Sequence, residues 1–200
     1  LMALARNLEP AIAHVKQGLW VRENFPGKML WGKRLGVVGC GRIGQWVARY
    51  GQAFGMEIYG FDPYLEKFPE FIHGVSLDAL AQLCDFVSVH VHLSEGTREL
   101  ISRKFIQNMR NDAVLINTSR GLVVNESALL DALKSGEIGG YGADVLSGEP
   151  RIRDHPLVKF SRESSNVIIT PHCGGYSPEA VRMVCAHAAR KIIEHFAETP

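Results

Sequence analysis

A glycine-rich turn between an apolar run and a helical segment constrains the fold of this chain more than any other feature. Gly39, Gly41 and Gly44 form a GxGxxG pattern directly after the run RLGVVG. Arg42 and Ile43 lie between the last two glycines and open the helical segment. The first glycine permits a tight turn, the second lets the backbone approach a pyrophosphate, and the third lets helix and strand pack closely. Because a helix N-terminus favours negative charge, the pattern predicts a dinucleotide-phosphate site built from these five residues.

An acidic residue follows at the distance typical of such a site. Asp62 ends the second apolar run, EIYGFD, about 20 residues beyond the last glycine, where a carboxylate can bond the adenosine ribose diol. Its negative charge would repel a 2′-phosphate, which favours NAD over NADP as the cofactor. The alternative is a glycine-rich turn with an unrelated surface aspartate. The agreement of strand, turn, helix and acid argues against that alternative.

Short apolar runs alternate with segments of helical period along most of the chain. The predicted strands span residues 34–39, 57–62, 85–91, 113–118, 141–146 and 166–170. Continuous apolar runs are typical of strands covered on both faces, so the pattern predicts an α/β fold: a Rossmann-type, doubly wound parallel sheet with helices on both faces. Ser76 and Asn125 are expected to cap two of the helices. In the helix after the first strand, one face is expected to pack on the sheet; it consists of Ile43, Val47, Tyr50 and Phe54.

Both ends of the chain carry apolar helical patterns outside this alternation. Residues 1–20 carry one pattern, interrupted by Pro10, and residues 177–197 carry another. Ser177 is placed to cap the second helix, with Pro178 at its first position. We predict one NAD-binding domain over residues 1–200 and expect its two terminal helices to contact a second subunit or a second domain.

Charge and composition exclude several functional classes. Lys and Arg number 22 against 21 Asp and Glu, a formal net charge of +1, which is too little for a nucleic acid or an anionic membrane as the main partner. No apolar run approaches the roughly 18 residues of a membrane span. The four cysteines lack zinc-type spacing and favour a reducing, cytoplasmic location. His90 and His92 alternate along one strand without a third ligand at a suitable spacing, so we expect no metal.

Polar side chains follow three of the later predicted strands. Arg120 follows LINTS, Asp144 and Glu149 follow YGA, and His172 follows VIITP. Because open parallel sheets bind ligands at the carboxyl ends of their strands, these side chains are expected at one edge. Thr118 is expected to contact the cofactor there, and Asp144 could accept a hydrogen bond from the nicotinamide carboxamide.

The residue types at this edge suit hydride transfer to or from a 2-hydroxy acid. Arg120 offers a permanently charged fork that can bind the substrate carboxylate and polarise the carbonyl. His172 can exchange a proton near neutral pH. A carboxylate such as Glu149 beside it would favour the protonated imidazole and fix its orientation.

These segments resemble the D-isomer-specific 2-hydroxyacid dehydrogenases, and within that family their NAD-binding domain. The similarity runs from GLWVRENFPGKMLWGKRLGVVGCGRIG through FDPY and LINTSRGLVVNESALLDALKSGEIGGYGADV to TPHCGGYSPEA. It implies that Arg120, Glu149 and His172 form the catalytic set of an NAD-dependent oxidoreductase that works as a homodimer. His92 replaces the proline usual in the family, so we expect the loop beside the cofactor to differ in shape.

Two functional classes remain open at this point. The first is an enzyme that moves hydride between NAD and a D-2-hydroxy acid or its keto form. The second is an NAD-sensing scaffold, because transcriptional corepressors that resemble this family retain the same residues. A methyltransferase on a similar fold would leave the arginine, glutamate and histidine without a task. The family's substrate domain precedes this region, so we expect residues 1–200 alone to bind NAD with little turnover. The side chains that determine which hydroxy acid is the substrate are expected to lie outside residues 1–200.

Overall fold

A seven-stranded parallel sheet organises the computed structural model of this chain, which describes residues 1–197. The strands are β1 (Arg34–Val38), β2 (Glu57–Phe61), β3 (His73–Gly74), β4 (Phe86–Val89), β5 (Val114–Asn117), β6 (Gly140–Ala143) and β7 (Val167–Ile169). The helices are α1 (Met2–Ala5), α2 (Leu8–Lys16), α3 (Arg42–Ala53), α4 (Leu77–Leu83), α5 (Arg103–Asn108), α6 (Glu126–Ser135), α7 (Pro156–Ser161) and α8 (Pro178–Ala197). Three short 3₁₀ turns span Arg22–Asn24, Glu95–Thr97 and Gly121–Val123.

The strand order β3-β2-β1-β4-β5-β6-β7 confirms the predicted doubly wound fold. All six predicted strands are present. Strand β3 was missed because its two residues are exposed and carry no apolar run; it pairs only through Tyr59 with His73 and Gly60 with Gly74. Strand β1 pairs in parallel with β2 on one side and with β4 on the other, so the direction in which the chain winds reverses between β1 and β4. That reversal opens a crevice at the carboxyl ends of these two strands.

The sheet is buried on both faces, which explains why its strands read as unbroken apolar runs. Alternate residues of β4 face opposite sides: Val87 joins the core under α4, α5 and α6, and Phe86 joins the core under α1 and α3. Each such fully buried side chain contributes about 1.5–3 kcal/mol to folding relative to an exposed one. The sheet therefore forms a rigid support for the loops at its carboxyl edge.

Helix α3 packs on the sheet through a different face from the one predicted. Its buried residues are Gly44, Ala48 and Gly51. A Cβ on Gly51 would lie 2.5 Å from Leu35 Cδ2, so the helix approaches β1 too closely for large side chains on that face. Of the predicted apolar face only Val47 packs against the core. Three residues of that face are largely exposed instead: Ile43, Tyr50 and Phe54.

The two terminal segments are helical, but the first is interrupted elsewhere than predicted. The break falls at Asn7, whose φ of 50° separates α1 from α2, and Pro10 lies in the first turn of α2, where proline is tolerated. At the other end the Ser177 hydroxyl accepts the Ala180 N–H, as predicted for a cap. No described residue of α8 is buried. Within residues 1–197 no helix combines the length and apolarity needed to cross a membrane.

Candidate active site

The crevice between β1 and β4 holds the glycine-rich turn. Gly39 has a φ of 90°, and a Cβ there would lie 2.7 Å from the His90 carbonyl oxygen, so both the turn and the close strand approach require glycine. A Cβ on Gly41 would meet nothing within 4 Å. Gly41, Arg42 and Ile43 line a cavity of about 790 Å³ in the crevice. The N-terminal N–H groups of α3 lack intrahelical partners, so this open wall suits a phosphate group.

Asp62 ties the end of β2 to the glycine-rich turn. Its Oδ2 accepts the Cys40 backbone N–H at 3.0 Å, and its Oδ1 accepts the Tyr64 N–H at 3.0 Å. Each carboxylate oxygen has a second lone pair, so both can still accept a ribose hydroxyl. Burial, reinforced by the nearby Asp62 charge, raises the pKa of the Cys40 thiol to about 12. Cys40 is therefore an inert packing residue rather than a reactive thiol.

The turn that carries Arg120 is organised by a buried amide at the end of β5. Asn117 Oδ1 accepts the Ser119 N–H at 3.0 Å and the Ser119 hydroxyl at 2.8 Å, while its Nδ2 donates to the Arg120 carbonyl at 2.9 Å. Arg120 Nη1 donates to the Ser119 carbonyl at 2.6 Å. Thr118 and Arg120 line the same crevice cavity as Gly41. Sequence reasoning missed Asn117, although a polar residue ending the run VLIN was a signal of the same kind as the others.

The turn that carries His172 is held by Asp144, a buried residue just beyond β6. Its carboxylate accepts hydrogen bonds from the Thr170 hydroxyl, from the Cys173 N–H at 3.0 Å and from the Gly174 N–H at 2.7 Å. Burial alone would raise the pKa of Asp144, but these hydrogen bonds outweigh it and lower that pKa. His172 lies inside this turn with a φ of 54°, a left-handed conformation that needs such support in a non-glycine residue.

His172 and Glu149 are in direct contact. The imidazole Nδ1 lies 2.8 Å from Glu149 Oε1, and Glu149 Oε2 accepts the Leu146 N–H at 3.3 Å. Because an ionised carboxylate only accepts, Nδ1 carries the proton in this contact and Nε2 is left for proton exchange. The pair lines a cavity of about 390 Å³ together with Leu146, Pro150, Ile152 and Ile169. The imidazole side chain is 48% exposed.

Arg120 reaches this edge of the sheet from a separate strand. Among the described residues no hydrogen bond or ion pair joins it to His172 or Glu149, and the two groups line different cavities. Their loops nevertheless touch. A Cβ on Gly121 would lie 2.1 Å from both the Leu146 carbonyl carbon and the Ser147 nitrogen. The Arg120 turn therefore packs backbone to backbone against the loop that carries Glu149.

The remaining histidine pair sits beside the crevice. His90 Nε2 is 2.8 Å from the Ser88 hydroxyl, and desolvation by burial lowers the pKa of His90 to about 4, so the ring is neutral at physiological pH. Both His90 and His92 line the crevice cavity. In the part of the chain that the structure describes, no three His, Cys, Asp or Glu side chains cluster closely enough to hold a metal ion.

Comparison with known sequences finds one family along most of the chain. The sequence profile of the D-isomer specific 2-hydroxyacid dehydrogenase NAD-binding domain matches residues 1–174. A D-3-phosphoglycerate dehydrogenase of Methanocaldococcus jannaschii is 42% identical over 196 residues, which cover 96% of this chain and 36% of that protein. A hydroxypyruvate reductase of Thermotoga maritima is 37% identical over 194 residues, which cover 97% of this chain and 63% of that protein.

Comparison with solved structures gives the same result. D-lactate dehydrogenase from Aquifex aeolicus, complexed with NAD and lactic acid, is similar with a TM-score of 0.87 at 30% identity over 98% of this chain and 63% of that one. This chain thus spans between 36% and 63% of the length of these three proteins. Each relative contains a large part that has no counterpart in residues 1–200.

Proposed function

Because the chain belongs to the D-isomer specific 2-hydroxyacid dehydrogenase family, of which it contributes the NAD-binding domain, we propose that it is the cofactor half of an oxidoreductase. The reaction would transfer a hydride between NAD(H) and a D-2-hydroxy acid and 2-keto acid pair. The contact of His172 with Glu149 at 2.8 Å carries this proposal, since it leaves one imidazole nitrogen free beside the carboxyl edge of the sheet.

The crevice fits a dinucleotide. The space beside Gly41 is open, whereas Gly39 and Gly44 are tightly packed, so among the three glycines a bound group can approach the backbone most closely at Gly41. Gly39, Gly41, Arg42, Ile43 and Gly44 would hold the pyrophosphate, and three further residues would hold the rest of the cofactor: Asp62, Thr118 and Asp144. When bound, NADH supplies the hydride.

Each of the three proposed catalytic residues has a distinct task in ketone reduction. Arg120 binds the substrate carboxylate and polarises the carbonyl that is to be reduced. His172 donates its Nε2 proton to the carbonyl oxygen as negative charge develops there. Glu149 stabilises the imidazolium before this step and fixes the ring through Nδ1. In the oxidative direction the same nitrogen accepts the hydroxyl proton.

Removing the charge of Asp62 should change the cofactor preference. In Asp62→Asn the ribose diol loses a charge-assisted acceptor worth about 1.5–3 kcal/mol, so the Kd for NAD should rise about 10-fold to 150-fold. The Kd for NADP should fall, because the repulsion of its 2′-phosphate is removed. Calorimetric titration with both cofactors measures this. Asp131→Asn, an exposed carboxylate on α6 paired with Arg103, is the matched control and should leave both Kd values unchanged. Equal affinity of the unmodified chain for NAD and NADP would contradict the assignment.

The proposed reaction is tested with a longer protein that contains this chain and a substrate domain. We expect it to oxidise NADH with at least one of glyoxylate, hydroxypyruvate or pyruvate, and residues 1–200 alone to bind NAD with little turnover. Rapid reduction of a keto acid by residues 1–200 alone would contradict the expectation that turnover requires the substrate domain. NADH-dependent assembly without turnover of any keto acid would favour the scaffold function.

We further propose that the protein works as a cytoplasmic homodimer. All four cysteines are unpaired, which supports a reducing compartment. The exposed apolar residues Trp20, Val184 and Phe196 lie on the terminal segments and support a role for them in contacts with a second subunit or a substrate domain.

A further inference from the structure

A second polar cluster lies behind the candidate active site. It consists of Glu126 at the start of α6, Ser147 after β6, and His155 before α7. Glu126 Oε1 accepts the Ser147 N–H at 2.9 Å, and Oε2 accepts the Ser147 hydroxyl. His155 Nε2 lies 3.1 Å from the same Oε2. The His155 and Glu126 side chains are only 10% and 11% exposed.

This cluster has the residue types of a serine nucleophile with a base, but its geometry excludes that role. His155 Nδ1 accepts the Leu157 N–H at 3.3 Å and is therefore unprotonated. The ring proton is on Nε2 and is donated to Glu126. The nitrogen nearest the Ser147 hydroxyl thus has no free lone pair to accept its proton. The hydrogen bonds of the cluster instead hold the loop between Ser147 and His155 in place.

The loop held by this cluster carries Glu149. Ser147 and His155 flank residues 148–154, and both are bound by one carboxylate, that of Glu126. The hydrogen bonds within the segment are local, such as Arg151 N–H to the Gly148 carbonyl at 3.0 Å. Most of its residues are exposed. Ile152 packs against the core and the Leu146 N–H is donated to Glu149, while the Glu126 carboxylate anchors both ends of the segment.

We propose that Glu126 is a positioning residue that acts through Ser147 and His155 to hold the Glu149 carboxylate against His172. The proposal rests on the proposed function only in taking the Glu149 and His172 pair as the proton-transfer unit. Glu126 itself contacts neither of these two residues in the hydrogen bonds and ion pairs of residues 1–197. Glu126 would therefore affect proton transfer only by setting the conformation of the loop that carries Glu149.

The test reads the His172 ring directly. In residues 1–200 labelled with ¹⁵N-histidine, long-range ¹H–¹⁵N spectra report whether Nδ1 carries the proton and how fast that proton exchanges. Glu126→Gln keeps the side-chain shape but has one acceptor oxygen instead of two, so it cannot accept the Ser147 N–H together with the Ser147 hydroxyl and the His155 Nε2–H, and the His172 Nδ1 proton should exchange about tenfold faster. Asp131→Asn removes a charge from the same helix without touching the loop and should leave the His172 signals unchanged.

A second variant covers the case in which Glu126→Gln does not fold. Ser147→Ala removes both contacts of the hydroxyl, to Glu126 Oε2 and to His155 Nε2, while keeping the bonds from the Ser147 N–H and from His155 Nε2 to Glu126, and should give a smaller change in the same direction. In the longer protein, Glu126→Gln should lower kcat about tenfold and leave the KM for NADH unchanged.

The outcomes separate the two proposals. If the folded variants have the His172 signals of the unmodified chain, Glu126 has only a structural role and the positioning proposal is overturned, even if the variants melt at a lower temperature. If the signals change while the unmodified longer protein reduces no keto acid, the positioning stands and the proposed function fails.

Discussion

Replacing His172 with alanine should reduce keto-acid turnover by the longer protein about 1,000-fold, within the 10²–10⁴ range for a positioned acid or base. Glu149 holds the imidazole through Nδ1 and leaves Nε2 for proton transfer, and alanine provides no proton donor at this position. NADH oxidation under steady-state conditions measures the effect. Calorimetry on residues 1–200 should show an unchanged Kd for NAD, because His172 lines a different cavity from the glycine-rich turn.

The control for this experiment is another exposed histidine. His73 lies on the edge strand β3 and contacts only the ring of Tyr59 among the aromatic side chains described, so His73→Ala should leave turnover unchanged. Retention of more than about a tenth of the activity by His172→Ala would contradict its role as the acid and base. A loss of NAD binding in that variant would instead show that the residue supports the cofactor site.

Replacing Gly44 with alanine should destabilise the chain and abolish NAD binding. The added Cβ would lie 2.0 Å from the Gly39 carbonyl oxygen, an atom of the glycine-rich turn itself. Since that backbone atom cannot move without shifting the turn or α3, we expect a loss of about 3 kcal/mol in the free energy of unfolding. Urea denaturation followed by circular dichroism measures the loss, and calorimetry measures the binding.

Gly41→Ala is the matched variant at the neighbouring glycine. A Cβ there meets nothing within 4 Å and the φ of −70° suits alanine, so stability should change by less than about 0.5 kcal/mol. NAD affinity should nevertheless fall about tenfold or more, equivalent to roughly 1.4 kcal/mol, because the methyl group occupies the path of the pyrophosphate. Unchanged NAD affinity in Gly41→Ala would mean that the cofactor does not approach the turn there.

The sheet could be predicted from the sequence because its strands are buried on both faces. Burial on both sides leaves an unbroken apolar run in the sequence, as in β4 and β5, whose four residues each are all buried. Strand β3 leaves no such run. The packing face of α3 was predicted wrongly because apolar periodicity ignores how closely the helix can approach: Gly44 and Gly51 mark the contact face, and both lack side chains.

Within the candidate site, only the polar residues that follow the strands could be predicted from the sequence. Arg120, Asp144 and His172 follow strands that pair side by side, β5 with β6 and β6 with β7, so the parallel fold brings their loops to one edge. The residues that hold those loops were not predictable. Glu126 lies 21 residues from Ser147 and 29 from His155 in the chain, and only the packing of α6 against the loop brings them together.

A crystal structure of the chain with bound NAD would show whether the cofactor and the proposed catalytic residues meet at this edge of the sheet. We expect the pyrophosphate to lie against Gly41. We also expect the nicotinamide ring to have the Arg120 guanidinium and the free His172 Nε2 on the same side, with room between them for one small acid. A nicotinamide ring bound elsewhere, or a His172 imidazole turned away from it with the Glu149 contact broken, would contradict the account.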